Sequence, residues 1–241
     1  MRRLSTLLSG LAMMLFVLLS ASKCDNKPTK SAKEEAAELY EKGLLLHNRG
    51  DLNNALKYYT FSIDKDSSIS LVFTNRGGIK FELGDTTGAH CDYSKALKID
   101  SLDVIALNNM GSLYGEKKEY DNAKLFFLKA IKVDSLYANP YYSLGLVFYE
   151  AYQYNEAITY FSVVEKLEKS MESRYLSNGL YEYMMPGYYD IRAFSYYFLG
   201  LCYKRIGNME KAVNYLKLAE EENVIGAADS LKTITQKQVV E

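Results

Sequence analysis

A period of 34 residues constrains the fold of this chain more than any other feature of its sequence. Three residue types recur in phase: a glycine, an alanine twelve residues later, and an aromatic residue four positions beyond the alanine. In four units they are Gly43, Gly77, Gly111 and Gly145; Ala55, Ala89, Ala123 and Ala157; and Tyr59, Tyr93, Phe127 and Phe161. A fifth unit keeps this internal spacing with Gly200, Ala212 and Leu216. Such repetition is typical of stacked repeats, in which neighbouring units bury one continuous core.

Each unit predicts two helices joined by a short polar turn. Gly50, Gly84 and Gly207 stand in three of these turns, where a helix end needs a left-handed residue. The recurring glycine and alanine are small because two helix backbones cross closely there, and the aromatic residue fills the space beside the crossing. Ser31 with Glu34 predicts a capping box at the start of the first helix.

At these residues the sequence resembles the tetratricopeptide repeat family. The fourth unit shows the pattern with Tyr141, Leu144-Gly145, Phe148, Ala157 and Phe161, whereas the second departs from it with Arg76 and Lys80. The resemblance implies an all-α, right-handed superhelical solenoid of five helical hairpins over residues 32–225. Residues 226–241 are expected to supply a capping helix and a tail. The longer Gly145-to-Gly200 interval predicts a Tyr-rich insertion at 170–190, which either walls a binding site or pads the junction between hairpins.

The N-terminus has the order of a secretory signal. Arg2 and Arg3 precede an apolar run over 7–19, and small residues follow it. We interpret 1–23 as a signal peptide and 24–31 as a polar tether. Cys24 stands where a bacterial lipoprotein carries its lipid, although Lys23 departs from that signal; cleavage near Ser22 is the alternative. The protein is therefore expected in the periplasm or at the outer membrane, anchored through its N-terminus if Cys24 is lipidated.

Residues that would support catalysis are sparse. His47 and His90 have no metal-type partner at helical spacing, and no glycine-rich loop follows a strand. The net charge of −1 argues against a nucleic-acid partner, which needs a surplus of Lys and Arg. The sequence thus predicts a protein without catalytic residues, metal or cofactor.

A groove lined by the first helix of each hairpin is the expected binding surface. Helical spacing selects eight candidate residues for contact with a partner: Asn75, Asn108, Asn109, Asn139, Tyr142, Ser143, Tyr149 and Tyr197. An amide both donates and accepts hydrogen bonds, so the Asn column can hold the backbone of an extended peptide; a polar solvated face is the alternative. We expect a scaffold or adaptor for a protein or peptide segment at the cell envelope. The alternatives are a surface glycan or nutrient-uptake accessory lipoprotein, and a self-associating structural subunit.

Overall fold

The described part of the chain consists of helices and short turns. This computed structural model describes residues 30–178 and 191–238, with side chains over 30–167 and 191–234. Within these ranges, each hairpin pairs a first helix with a second helix. The first hairpin is α1 (Ala32–Asn48) with α2 (Leu52–Lys65), and the second is α3 (Ser70–Glu82) with α4 (Thr86–Ile99). The third is α5 (Val104–Glu116) with α6 (Tyr120–Val133), and the fourth is α7 (Asn139–Glu150) with α8 (Tyr154–Asn178). The fifth hairpin is α9 (Ile191–Arg205) with α10 (Met209–Glu221), and α11 (Ala227–Gln238) follows. The predicted signal peptide, the tether up to residue 29 and the insertion beyond residue 178 lie outside the described residues.

The two helices of each hairpin cross where the period places its glycine. A Cβ atom at Gly111 would lie 2.6 Å from Cε1 of Phe127, and one at Gly145 would lie 2.5 Å from Cε1 of Phe161. Both distances are far below van der Waals contact, so the ring of the second helix occupies the place of the missing side chain. The close crossing predicted from the sequence is confirmed, and so is the all-α hairpin stack.

In three hairpins an aromatic pair stacks beside this crossing, and in the second hairpin charged side chains take the place of that pair. The stacked pairs have ring centroids 5.3 to 5.6 Å apart and are Tyr114–Phe126, Phe148–Tyr160 and Tyr203–Tyr215. One period before the first pair stand Lys80 and the buried Asp92, joined at 2.8 Å. Arg76 donates to both oxygens of the same carboxylate, at 2.8 and 2.7 Å. The departures at Arg76 and Lys80 are thus two parts of one ion network.

Consecutive hairpins pack so that their first helices lie side by side. Helices α3, α5, α7 and α9 contact one another in sequence, and these contacts are more extensive than those between second helices of adjacent hairpins. Because the first helices are drawn together more than the second helices, they line the inner side of the stack.

The first helix of the described chain is capped, and the last hairpin is covered by α11. The Ser31 hydroxyl accepts a bond from the backbone N–H of Glu34, whose carboxylate accepts one from the backbone N–H of Ser31, so the predicted capping box is confirmed. At the other end, Leu231 and Ile234 of α11 pack on Ala212 and Leu216 of the last hairpin. None of the helices in the described ranges combines the length and apolar character needed to span a membrane.

Candidate functional site

The groove face comprises the sides of α3, α5, α7 and α9 that look away from their partner helices. Asn75 and Asn109 lie on this face one period apart, and both are half-buried. Asn75 Nδ2 donates to the Tyr40 hydroxyl at 2.9 Å, and Asn109 Oδ1 accepts a bond from Asn108 Nδ2 at 3.4 Å. The Tyr93 hydroxyl lies beside the Asn109 amide, so each of the two amides has a tyrosine next to it.

Asn108 does not belong to the groove face, and the expectation that it contacts a partner is wrong. Its side chain is 6% exposed, and Oδ1 has no hydrogen-bond partner among the described residues. One period earlier, Thr74 is fully buried and donates to Asp103 at the start of the next first helix, at 2.7 Å. This column points into the junction with the following hairpin, where a bound segment cannot reach.

The three candidate tyrosines surround Phe198 at the junction of the fourth and fifth hairpins. The ring centroid of Tyr149 lies 5.2 Å from that of Phe198, that of Tyr197 5.5 Å and that of Tyr142 6.3 Å. All three are half-buried, and burial raises the pKa of Tyr142 to about 12. Their rings thus hold the junction together and expose only part of their surface.

Asn139 and Ser143 present polar groups that the fold does not use. Both are half-buried on α7, with Asn139 directly before Pro140 at the helix start. Neither side chain makes a hydrogen bond within the described residues. Their hydrogen-bonding groups are thus unpaired within the described side chains.

A pocket of about 340 Å³ opens between α5 and α7; we call it the α5–α7 pocket. Its floor is apolar, and its rim carries Ser143 and three charged residues. The lining residues are Ser112, Gly115, Glu116, Lys118, Tyr120, Phe127, Ser143, Leu146, Val147 and Glu150. A side chain at Gly115 would find open space, since no heavy atom lies within 4 Å of its Cβ position. The pocket therefore exists partly because α5 carries a glycine there.

Sequence reasoning missed the charged rim of this pocket. Glu116 and Glu150 are the last residues of α5 and α7, and Glu82 ends α3 in the same register. The 34-residue period could have found this column of carboxylates, which is as regular as the column of Asn75 and Asn109. Lys118 follows α5 with a φ of 59°, a left-handed conformation that is uncommon for residues other than glycine.

Comparison with known families identifies two of the hairpins. The profile described as tetratricopeptide repeat matches residues 104–135 and 195–223, which correspond to the third hairpin and most of the fifth. These two hairpins are tetratricopeptide repeats. No curated protein sequence matches the chain significantly.

Solved structures with the same tetratricopeptide fold cover most of the chain. MamA from Desulfovibrio magneticus RS-1 is 18% identical, with a TM-score of 0.59 over 80% of this chain and 97% of its own. YrrB, described as a TPR protein with an unusual peptide-binding site, is 18% identical, with a TM-score of 0.56 over 83% of this chain and 93% of its own. Pseudomonas aeruginosa PilF is 21% identical, with a TM-score of 0.56 over 86% of this chain and 100% of its own. At these identities the likeness establishes the fold.

Proposed function

We propose that this chain is a non-catalytic scaffold that binds a protein or peptide segment along its groove face, at the cell envelope. The observation that carries the proposal is the α5–α7 pocket, an apolar cavity between two adjacent first helices. An apolar pocket with a few convergent polar groups is the usual form of a binding site. Ser143 lies on its rim, so apolar burial and hydrogen bonding are available together.

The remaining groove residues suit the backbone of an extended segment. Asn75 is held by Tyr40 and Asn109 by Asn108, and both amide oxygens keep acceptor capacity. Asn139 and Ser143 are free to donate and accept. Tyr142, Tyr149 and Tyr197 add apolar area at the far end of the same face. The YrrB fold, described with a peptide-binding site, supports this assignment by analogy.

The proposed location rests on the N-terminal sequence. Arg2, Arg3 and the apolar run over 7–19 form an export signal, and Cys24 is the residue we propose to be lipidated. Intact-mass analysis of protein recovered from membranes tests this directly. A diacylated Cys24 as the new N-terminus is expected; a free N-terminus near Ser22, or an unprocessed Met1, contradicts it.

Peptide selection tests the binding function. A random peptide library is panned on the folded protein, and the enriched peptides are tested on the native chain and on a Gly115→Phe variant. The phenylalanine ring enters the open space at Gly115, so we expect binding to weaken about tenfold or more. Gly115→Ala is the matched control, since it adds one methyl group and leaves most of the pocket open. If no peptide is enriched, or if the enriched peptides bind the native chain and Gly115→Phe equally, the pocket is not the binding site.

A further inference from the structure

We infer that the α5–α7 pocket selects a segment in which a large apolar side chain stands next to a lysine or arginine. The apolar side chain enters the pocket and the cation lies at its rim. This inference rests on the proposed function and narrows it to one class of partner.

The size and lining of the pocket favour a large apolar side chain in the bound segment. Phe127 and Val147 form a buried floor, and Leu146 lines the wall. A cavity of about 150 Å³ accepts a benzene molecule, so about 340 Å³ has room for one aromatic or long aliphatic side chain with the start of its backbone. The same volume is at the small end of pockets for larger ligands, which begin at about 300 Å³.

The charges on the rim of the pocket favour a lysine or arginine next to that apolar side chain. Glu116 and Glu150 line the pocket from the two helices that form it. Neither carboxylate forms an ion pair within the described residues. Each is the last residue of its helix, where the helix dipole places a negative partial charge. Two carboxylates and two helix ends outweigh the single cation of Lys118, so the rim attracts positive charge.

The neighbouring part of the groove face carries negative charge, like the rim of the pocket. Glu82 occupies the equivalent place on α3, and the first basic residue in this column is Arg205 at the end of α9. A cationic segment is therefore favoured over the second to fourth hairpins, while a segment rich in Asp or Glu is repelled there.

The sequences enriched on the native protein give the first test. Peptides that carry Leu, Met or Phe adjacent to Lys or Arg are expected to dominate. Within the tightest of them, replacing the apolar residue with Ala should weaken binding about tenfold or more. Replacing the adjacent cation with Gln should weaken it about two- to fivefold, and added salt should reduce the difference.

Calorimetry on rim variants gives the second test, with that same peptide as probe. Glu116→Gln with Glu150→Gln should weaken binding, whereas Lys118→Gly should strengthen it because it removes a like charge. Lys118→Gly also suits the left-handed backbone, so the fold is retained. Glu221→Gln, on the exposed end of α10 far along the chain, is the control and should change nothing.

The two proposals fail differently. If peptides bind and Gly115→Phe abolishes their binding, but the Glu variants have no effect or the enriched peptides are acidic, the inference is overturned and the binding function stands. If Lys118→Gly weakens binding, the pocket takes a carboxylate and the inference is likewise overturned. If no peptide is selected at all, the binding function itself is lost.

Discussion

At the residue scale, two glycines of α5 only four positions apart have opposite roles. Gly111 lies at the helix crossing, where the Phe127 ring leaves no room for a Cβ atom. Gly115 faces the α5–α7 pocket, where a Cβ atom would meet nothing within 4 Å. The period identifies the first as structural, since it recurs in every unit, whereas Gly115 belongs to no repeating column.

We predict that the two alanine substitutions change stability in opposite directions. Gly111→Ala forces the Phe127 ring or the backbone to move and should lower the free energy of unfolding by about 1 to 3 kcal/mol. Gly115→Ala removes backbone entropy from the unfolded chain without a clash and should raise it by about 0.5 to 1 kcal/mol. Urea titration followed by circular dichroism measures both. Equal shifts of the two midpoints in one direction would contradict the geometry of the crossing.

Asn108 is the candidate residue that the sequence assigned to the wrong surface. Asn108 and Asn109 are neighbours in sequence, and helical spacing alone assigns both to the side opposite the partner helix. The structure separates their exposure, because Asn109 is half-buried on the groove face whereas Asn108 is buried toward the next hairpin. That distinction depends on the angle at which adjacent hairpins stack, which the sequence of one hairpin does not contain.

At the scale of the element, the second hairpin shows how one repeat can replace aromatic packing with charge. Glycine, alanine and aromatic columns predicted the positions of the helices well, because they encode the crossing itself. Arg76 and Lys80 could be recognised as departures, but not as partners of Asp92, because their pairing requires the second helix to be in place. The period aligns Asp92 with Phe126, so the sequence marks it as a further departure in this hairpin but does not show which side chains it contacts.

We predict that this network stabilises the second hairpin only as a complete set. Asp92→Asn leaves two cations without their buried partner and should lower the free energy of unfolding by about 3 to 5 kcal/mol. Copying the third hairpin with Arg76→Met, Lys80→Tyr and Asp92→Phe should leave stability equal to the native chain or raise it, by up to about 4 kcal/mol. Thermal unfolding of both variants measures this. A triple variant as unstable as Asp92→Asn would show that the aromatic stack does not fit here.

At the scale of the whole molecule, extensive contacts within the described residues join helices of the same or adjacent hairpins. Stability is therefore approximately a sum over hairpins and their junctions, and damage at one end stays local. The overall architecture could be predicted from the sequence because a repeat needs only its own pattern and that of its neighbour. The charged pocket could not, since it forms between two hairpins.

We predict a local response to removal of the terminal helix. Deleting residues 227–241 takes away Leu231 and Ile234 and uncovers the apolar face formed by Ala212 and Leu216. Hydrogen exchange should accelerate in α9 and α10 while α1 to α4 keep their protection. Loss of protection over all five hairpins would contradict the local character of the contacts.

We predict that stability falls as the pH rises from about 10 to 12. Burial raises the pKa of Tyr137, Tyr142 and Tyr215 to about 12, whereas exposed tyrosines in the unfolded chain titrate near their usual value of about 10. In this window the unfolded chain binds fewer protons than the folded chain, so each increase in pH favours unfolding.

Urea midpoints measured across the window, with tyrosinate absorbance recorded in parallel, test this dependence. In Tyr142→Phe the slope with pH should be shallower, because the variant keeps the ring and removes one titrating hydroxyl. A midpoint that stays constant up to pH 12 would exclude the predicted linkage.

Because the extensive contacts in the described part of the chain join neighbouring hairpins, the stack can bend along its length. Each junction can open or close by a small angle, and these angles add along the stack, so the curvature of the whole is softer than any one junction. A partner that spans all five hairpins binds only when the curvature of the whole stack matches its own shape. A partner seated between α5 and α7 touches a single junction, so its fit depends little on bending elsewhere in the stack.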